Sequence, residues 1–118
     1  MTVVIFPRLA NRDVRSKVEK RQLFSNTNQT IYAKRKDDLY VVYSYGGHFP
    51  LYVYDAIVSQ WFGNDTKRTP TTQRHKTLTR PDNVEITWAS TDYLCAMILA
   101  GSYANYTALR VTHVEEAA

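Results

Sequence analysis

Within residues 71–76 the chain places two hydroxyls, two cations and an imidazole: Thr71, Thr72, Arg74, His75 and Lys76. Donors of this kind, close together, can hold a phosphate through charge-assisted hydrogen bonds. Lys67, Arg68 and Arg80 extend the basic character to the whole of residues 67–80. An exposed loop that merely keeps a protein in solution has the same composition. A second cluster is Gly46-Gly47-His48. Its glycines would let backbone N–H groups close around an anion, although two glycines between strands also serve as a plain hairpin connection. Were His48 and His75 to meet beside Arg74 or Lys76, the set would suit general acid–base cleavage of a phosphodiester in RNA or a cyclic nucleotide.

Nine tyrosines are present in 118 residues. Tyr43 and Tyr45 alternate along one candidate strand, and Tyr52 and Tyr54 along the next. If those strands pair across Gly46-Gly47, four rings would share one patch and offer a stacking platform for bases. The structural alternative is a set of cross-strand pairs that covers the core.

Other chemistries find little support. His48, His75 and His113 are scattered, with no H-x-x-x-H spacing and no cysteine pair, so no metal set or cofactor motif emerges. Cys95 stands alone in an apolar stretch, where a thiol acts as a small buried hydrophobe of raised pKa. Ser44 lacks a G-x-S-x-G context. The expectation is a non-catalytic protein without a cofactor.

The elements that must position these residues follow from periodicity. Val3–Phe6, closed by Pro7, reads as a first strand. Asn11–Lys20, with Val14 and Val18 four apart, fits a short exposed helix or a basic loop. Residues 31–62 alternate as a meander of about four strands, the first at Ile31–Lys34, turning at Lys36-Asp37-Asp38, Gly46-Gly47 and Asp55 and closed by Gly63-Asn64-Asp65. Residues 66–81, polar and broken by proline, read as an extended loop or an irregular edge segment. Val84–Trp88 is a short strand. Ser90-Thr91-Asp92 caps a helix that is apolar nearly all round and stops at Gly101, and Leu109–Val114 alternates weakly as a last strand.

These elements predict an α+β fold. An antiparallel sheet of about four to six strands would carry one buried helix, about 91–100, on one face. The 118 residues suit one domain, with a basic segment at 1–30, the core at 31–114 and a tail at 115–118. Net charge is +4, from 15 Lys and Arg against 11 Asp and Glu. The cations cluster between Arg8 and Lys36 and between Lys67 and Arg80, which would draw in nucleic acid or acidic protein surfaces. A single cysteine, no signal-like leader and no long apolar run point to the cytosol and away from a membrane.

The stretch YVVYSYGGHFPLYVY at 40–54, followed by Gln60-Trp61-Phe62-Gly63-Asn64, Thr71-Thr72-Gln73-Arg74-His75 and Arg80-Pro81, resembles a group of small bacteriophage and prophage proteins. The resemblance covers about a third of the chain and carries no residue role with it. It implies a phage accessory protein in a bacterial cytoplasm, with His48, Trp61, Asn64, Thr71, Thr72 and His75 in one local unit. On that footing the first expectation is a protein that binds and inhibits a host or anti-phage component. The second is a nucleic-acid-binding module using the basic segment and the tyrosines, and the third is a small phosphodiesterase built on His48 and His75.

Overall fold

The computed structural model describes residues 8–27, 29–45 and 49–108. The strands expected at Val3–Phe6 and Leu109–Val114, and the Gly46-Gly47-His48 connection, lie outside the described residues.

Alternation over residues 31–62 produces four antiparallel strands: β3 (Ile31–Lys36), β4 (Leu39–Ser44), β5 (Pro50–Asp55) and β6 (Gln60–Asn64). Asp37 takes a left-handed backbone, φ 54°, and so closes the β3–β4 connection in two residues, with Lys36, expected in the turn, still paired to Leu39 in β3. Two short strands precede the meander, β1 (Arg8–Leu9) and β2 (Ser25–Asn26), and β7 (Ile86–Ala89) follows it. The seven strands lie in sequence order across one sheet. The α+β class is therefore as expected, but the two outer pairings, β1–β2 and β6–β7, are parallel.

A parallel pair needs a crossover, and each of these carries a helix. α1 (Val14–Glu19), entered through a 3₁₀ turn at Asn11–Asp13, joins β1 to β2; α2 (Pro70–Thr79) joins β6 to β7. Because β1, β2, β6 and β7 all point the same way and both crossovers step in the same sense, a shared hand puts both helices on one face. There α1 and α2 pack against each other. α3 (Thr91–Ala100) covers the opposite face, joined by the helical residues 103–108.

One helix on one face is thus corrected to helices on both. The reason lies in β4, whose six residues are all buried. Leu39, Val41 and Tyr43 point to the α3 side, Tyr40 and Val42 to the α1/α2 side, and neither set can be left in water. Val14, Val18, Phe24, Ile31, Tyr52 and Trp61 complete the first core; Val53, Phe62, Leu94, Met97 and Ile98 complete the second.

α2 replaces the loop expected at 66–81. Thr69 caps it, its Oγ1 accepting from the Thr72 N–H at 3.1 Å, and Pro70 begins it. Its buried stripe is Thr72, His75 and Thr79, a helical spacing made of polar side chains. Hydrophobic periodicity cannot reveal such a stripe. α3 begins and ends as expected, on Ser90 and on Gly101 at φ 91°. It is not buried all round, however: Leu99 is 80% exposed. The turn expected at Gly63-Asn64-Asp65 also starts later, since Gly63 and Asn64 belong to β6. A Cβ on Gly63 would lie 2.7 Å from Trp88 and 2.8 Å from Ile86, so the glycine is what lets these side chains lie over the β6 backbone. No helix among the described residues is long and apolar enough to cross a membrane.

Candidate functional site

The four-tyrosine patch does not form. Tyr40 pairs with Tyr54 and Val42 with Tyr52, while Tyr43 lies opposite Pro50 beyond a register shift at Val42/Tyr43. Parity therefore sends Tyr52 and Tyr54 to the α1/α2 side and Tyr43 to the α3 side, where it is buried and stacked on Tyr32 at 5.3 Å. Tyr52 is also buried, its hydroxyl donating to the Lys76 carbonyl at 2.9 Å. Burial pushes its pKa well up, against the opposing pull of Arg80 and Arg15. Tyr45 is 54% exposed and holds its ring 5.3 Å from the His75 imidazole. Tyr54 is half-buried, with the Arg21 guanidinium 4.5 Å above its ring.

The 67–80 segment divides by helical phase. Thr71, Arg74 and Arg80 are exposed, as are Lys67 and Arg68 ahead of the helix. Arg68 lies over the Phe49 ring at 5.2 Å. Thr72 and His75 face inward instead. His75 Nδ1 meets the Ser44 hydroxyl at 2.8 Å, tying the middle of α2 to the end of β4. Burial, and then Arg74, lower the His75 pKa, so the imidazole is held neutral. Ser44 carries no catalytic motif in the sequence, yet it is the imidazole's partner. Both groups are buried, and their bond braces the helix against the sheet. The expected His48–His75 pairing lies outside the described residues.

Lys76 is half-buried, its Nζ donating to the Asn64 carbonyl at 2.8 Å. Burial lowers its pKa and Lys67 adds to this, while Asp65 opposes both. Asn64 also bridges strands, donating to Pro50 and Thr91 and accepting from the Thr66 N–H. Trp61, His75, Thr72 and Asn64 are all buried.

The two basic stretches, far apart in sequence, come together in space. Arg12, Arg15, Lys17, Lys20 and Arg21 ride on α1 and its flanks; Lys67, Arg68, Arg74, Lys76 and Arg80 ride on α2 and its flanks. The helices are pinned side by side, Arg15 donating to the Thr77 carbonyl at 2.8 Å. Arg35 joins them, donating to the Arg21 carbonyl at 2.6 Å and lying over Tyr40. Ion pairs among the described residues use only Arg12 with Asp13 and Arg15 with Asp82. On the α3 side, Lys34 lies over Tyr32 and Lys36 donates to the Ile98 carbonyl.

Two further features are not legible in the sequence. A cleft of about 720 Å³ opens between the β5–β6 turn and the residues entering β7. Arg21, Tyr54, Trp61, Val58, Val84 and Ile86 line it. Beside it, on the outer strand, Trp88 is 42% exposed, with Lys76 and Arg80 5.9 and 5.5 Å from its ring. In the sequence Trp88 is no more than the end of a short strand. What singles it out is its position on the last strand of the sheet beneath the C-terminal half of α2.

No group of three His, Cys, Asp or Glu side chains that could hold a metal occurs among the described residues. Cys95 is half-buried, its thiol pKa raised by burial and then by the Asp92 carboxylate. Comparison with protein-family models, with curated proteins and with solved structures finds no match, so the function is argued from these residues alone.

Proposed function

We propose that the protein is a non-catalytic nucleic-acid-binding module and that the outer surface of α1 and α2 is its contact face. The observation that carries this reading is the convergence of both basic segments on one side of the sheet, with few of their charges matched by carboxylates. Cations so arranged attract a phosphate backbone over a Debye length, and neutralising phosphates releases counterions. Tyr45 and Trp88, exposed beside α2, add ring surface on which bases can stack. Together with the resemblance in residues 40–81, this fits a phage accessory protein working in a bacterial cytoplasm.

The test is the salt dependence of binding to single- and double-stranded oligonucleotides. With about five phosphates engaged, log affinity falls with log salt at a slope near −3.5 for single strands and −4.5 for duplex. A flat response, or no binding at low salt, removes the reading.

A second reading, a protein partner blocked by occupation of its surface, draws on a different observation. Val58 and Val84 are exposed at the cleft and Ile57 is exposed next to Val58 in the chain, and nucleic-acid binding has no use for them. A nuclease-resistant stoichiometric partner recovered from host lysate supports it; recovery of nucleic acid alone counts against it.

A further inference from the structure

We infer that the outer edge of β7, which no other described strand pairs, is a strand-addition site, and that its occupant is an extended, acidic segment of a partner protein. The inference deepens the protein-partner reading, on which it rests, and shares Trp88, Lys76 and Arg80 with the nucleic-acid face.

The argument begins with ladder parity. β7 pairs with β6 in parallel, and the Ala89 carbonyl accepts from the Asp65 N–H at 2.8 Å. In a parallel ladder the residues of a strand alternate between bonding inward and outward. Ala89 and Thr87 therefore bond to β6. The N–H and C=O of Ile86 and Trp88 point to the open side, where the described residues supply no further strand.

Exposed edges are ordinarily guarded by charge, proline, bulges or brevity. Among the described residues the opposite edge strand, β1, is only two residues long. β7 has four residues, with the exposed Glu85 just ahead of it. Its residues, Ile86-Thr87-Trp88-Ala89, are uncharged, contain no proline and run without a register shift.

Side chains then define what fits. Ile86 and Trp88 lie over Gly63 on the α2 side of the sheet. At the start of β7 the cleft presents Val58, Val84 and Ile86, which suit an apolar side chain of an incoming strand, and Glu85, which disfavours a carboxylate at this end. Farther along, Lys76 and Arg80 stand over Trp88 and call for carboxylates. The same cations argue against a second copy of this chain. A two-fold axis through β7 would bring another Lys76 and Arg80 to the same edge. Main-chain bonds would supply affinity, and the pocket and cations specificity, as in β-augmentation generally.

The experiment uses a short synthetic peptide, Thr-Val-Thr-Glu-Thr, whose valine and glutamate lie two positions apart and so on one face, with a counterpart in which lysine replaces the glutamate. Amide hydrogen exchange is followed residue by residue in the full chain. The Val–Glu peptide should slow exchange at Ile86 and Trp88 by about tenfold or more while leaving Thr87 and Ala89 little changed. Arg80→Glu, an exposed substitution, should reverse the preference between the two peptides. Ile86→Pro, which removes an outward N–H and no bond to β6, should weaken binding of both.

Any of three outcomes overturns the inference. One is that neither peptide protects the two amides, and another is that both bind equally well to the unaltered protein. The third is that the amides are protected in a concentration-dependent way without peptide, which would make the occupant a second copy. Failure here leaves the salt dependence of oligonucleotide binding untouched, so the two readings fall separately.

Discussion

Two helical layers cover the two faces of one sheet, and they differ in everything beyond the burial they supply. On the α3 side, Leu94, Met97 and Ile98 close the core. Lys36 sits at the C-terminal carbonyl of Ile98, where a cation complements the helix dipole. On the other side α1 and α2 bury Val14, Val18, Thr72, His75 and Thr79 while turning a row of cations outward. Folding requires only the inward half of each layer. Exposed cations add about 0–1 kcal/mol even when paired, so stability does not explain why they gather on one side. The difference separates a face that completes the fold from a face with surplus charge to offer a partner.

The most severe disruption should come from beneath the charged layer. Trp61 is buried against Tyr40 and Tyr54, its ring centroid 6.4 and 5.1 Å from theirs. Trp61→Ala should cost about 3–5 kcal/mol, read from the denaturant midpoint, and unfold much of the population. A loss below about 1 kcal/mol would mean that this core matters less than its burial implies.

The comparison is sharpened most by reversing charges. Lys17→Glu, Lys20→Glu and Arg74→Glu together should leave the fold intact. The salt slope of oligonucleotide binding should become shallower by about one for each phosphate no longer neutralised. Lys34→Glu, on the α3 side, should leave the slope where it was. Equal effects from both faces would erase the distinction between them.

Acid offers a third probe. His75 is held neutral by burial, with its pKa below the ordinary 6.5, so the unfolded chain binds the extra proton first. Stability from this source is fully present above pH 6.5 and is lost as pH falls from there through the lowered folded value. Chemical denaturation of the wild type should therefore show a decline over that window that His75→Asn lacks. If the two proteins decline in parallel, the Ser44–His75 brace is not the cause.

The smallest effect belongs to the α3 face. Removing the cation from Lys36 should cost about 0.3–1 kcal/mol, the usual worth of a charge at a helix C-terminus. Binding should not change, and a binding defect in Lys36→Ala would extend the contact surface around the sheet.

Much of this architecture is legible in the residues. The meander at 31–62 shows itself by alternation, and α3 by its serine cap and terminal glycine, because both signals depend on neighbours a few positions apart. α2 is invisible for the opposite reason. Its buried stripe is Thr72, His75 and Thr79, and whether a threonine or histidine faces inward depends on partners such as Ser44, 31 positions away from His75. The tyrosine patch fails on a single register shift between Val42 and Tyr43, which no pattern within β4 or β5 encodes. Cation clustering can be read from composition, but its placement cannot. Only the two parallel crossovers, with their common hand, bring residues 12–21 and 67–80 to the same side of the sheet. The chain by itself thus determined local conformation and the stock of charge. Tertiary structure decided which side chains share a surface, because register and crossover hand are set by contacts between distant segments.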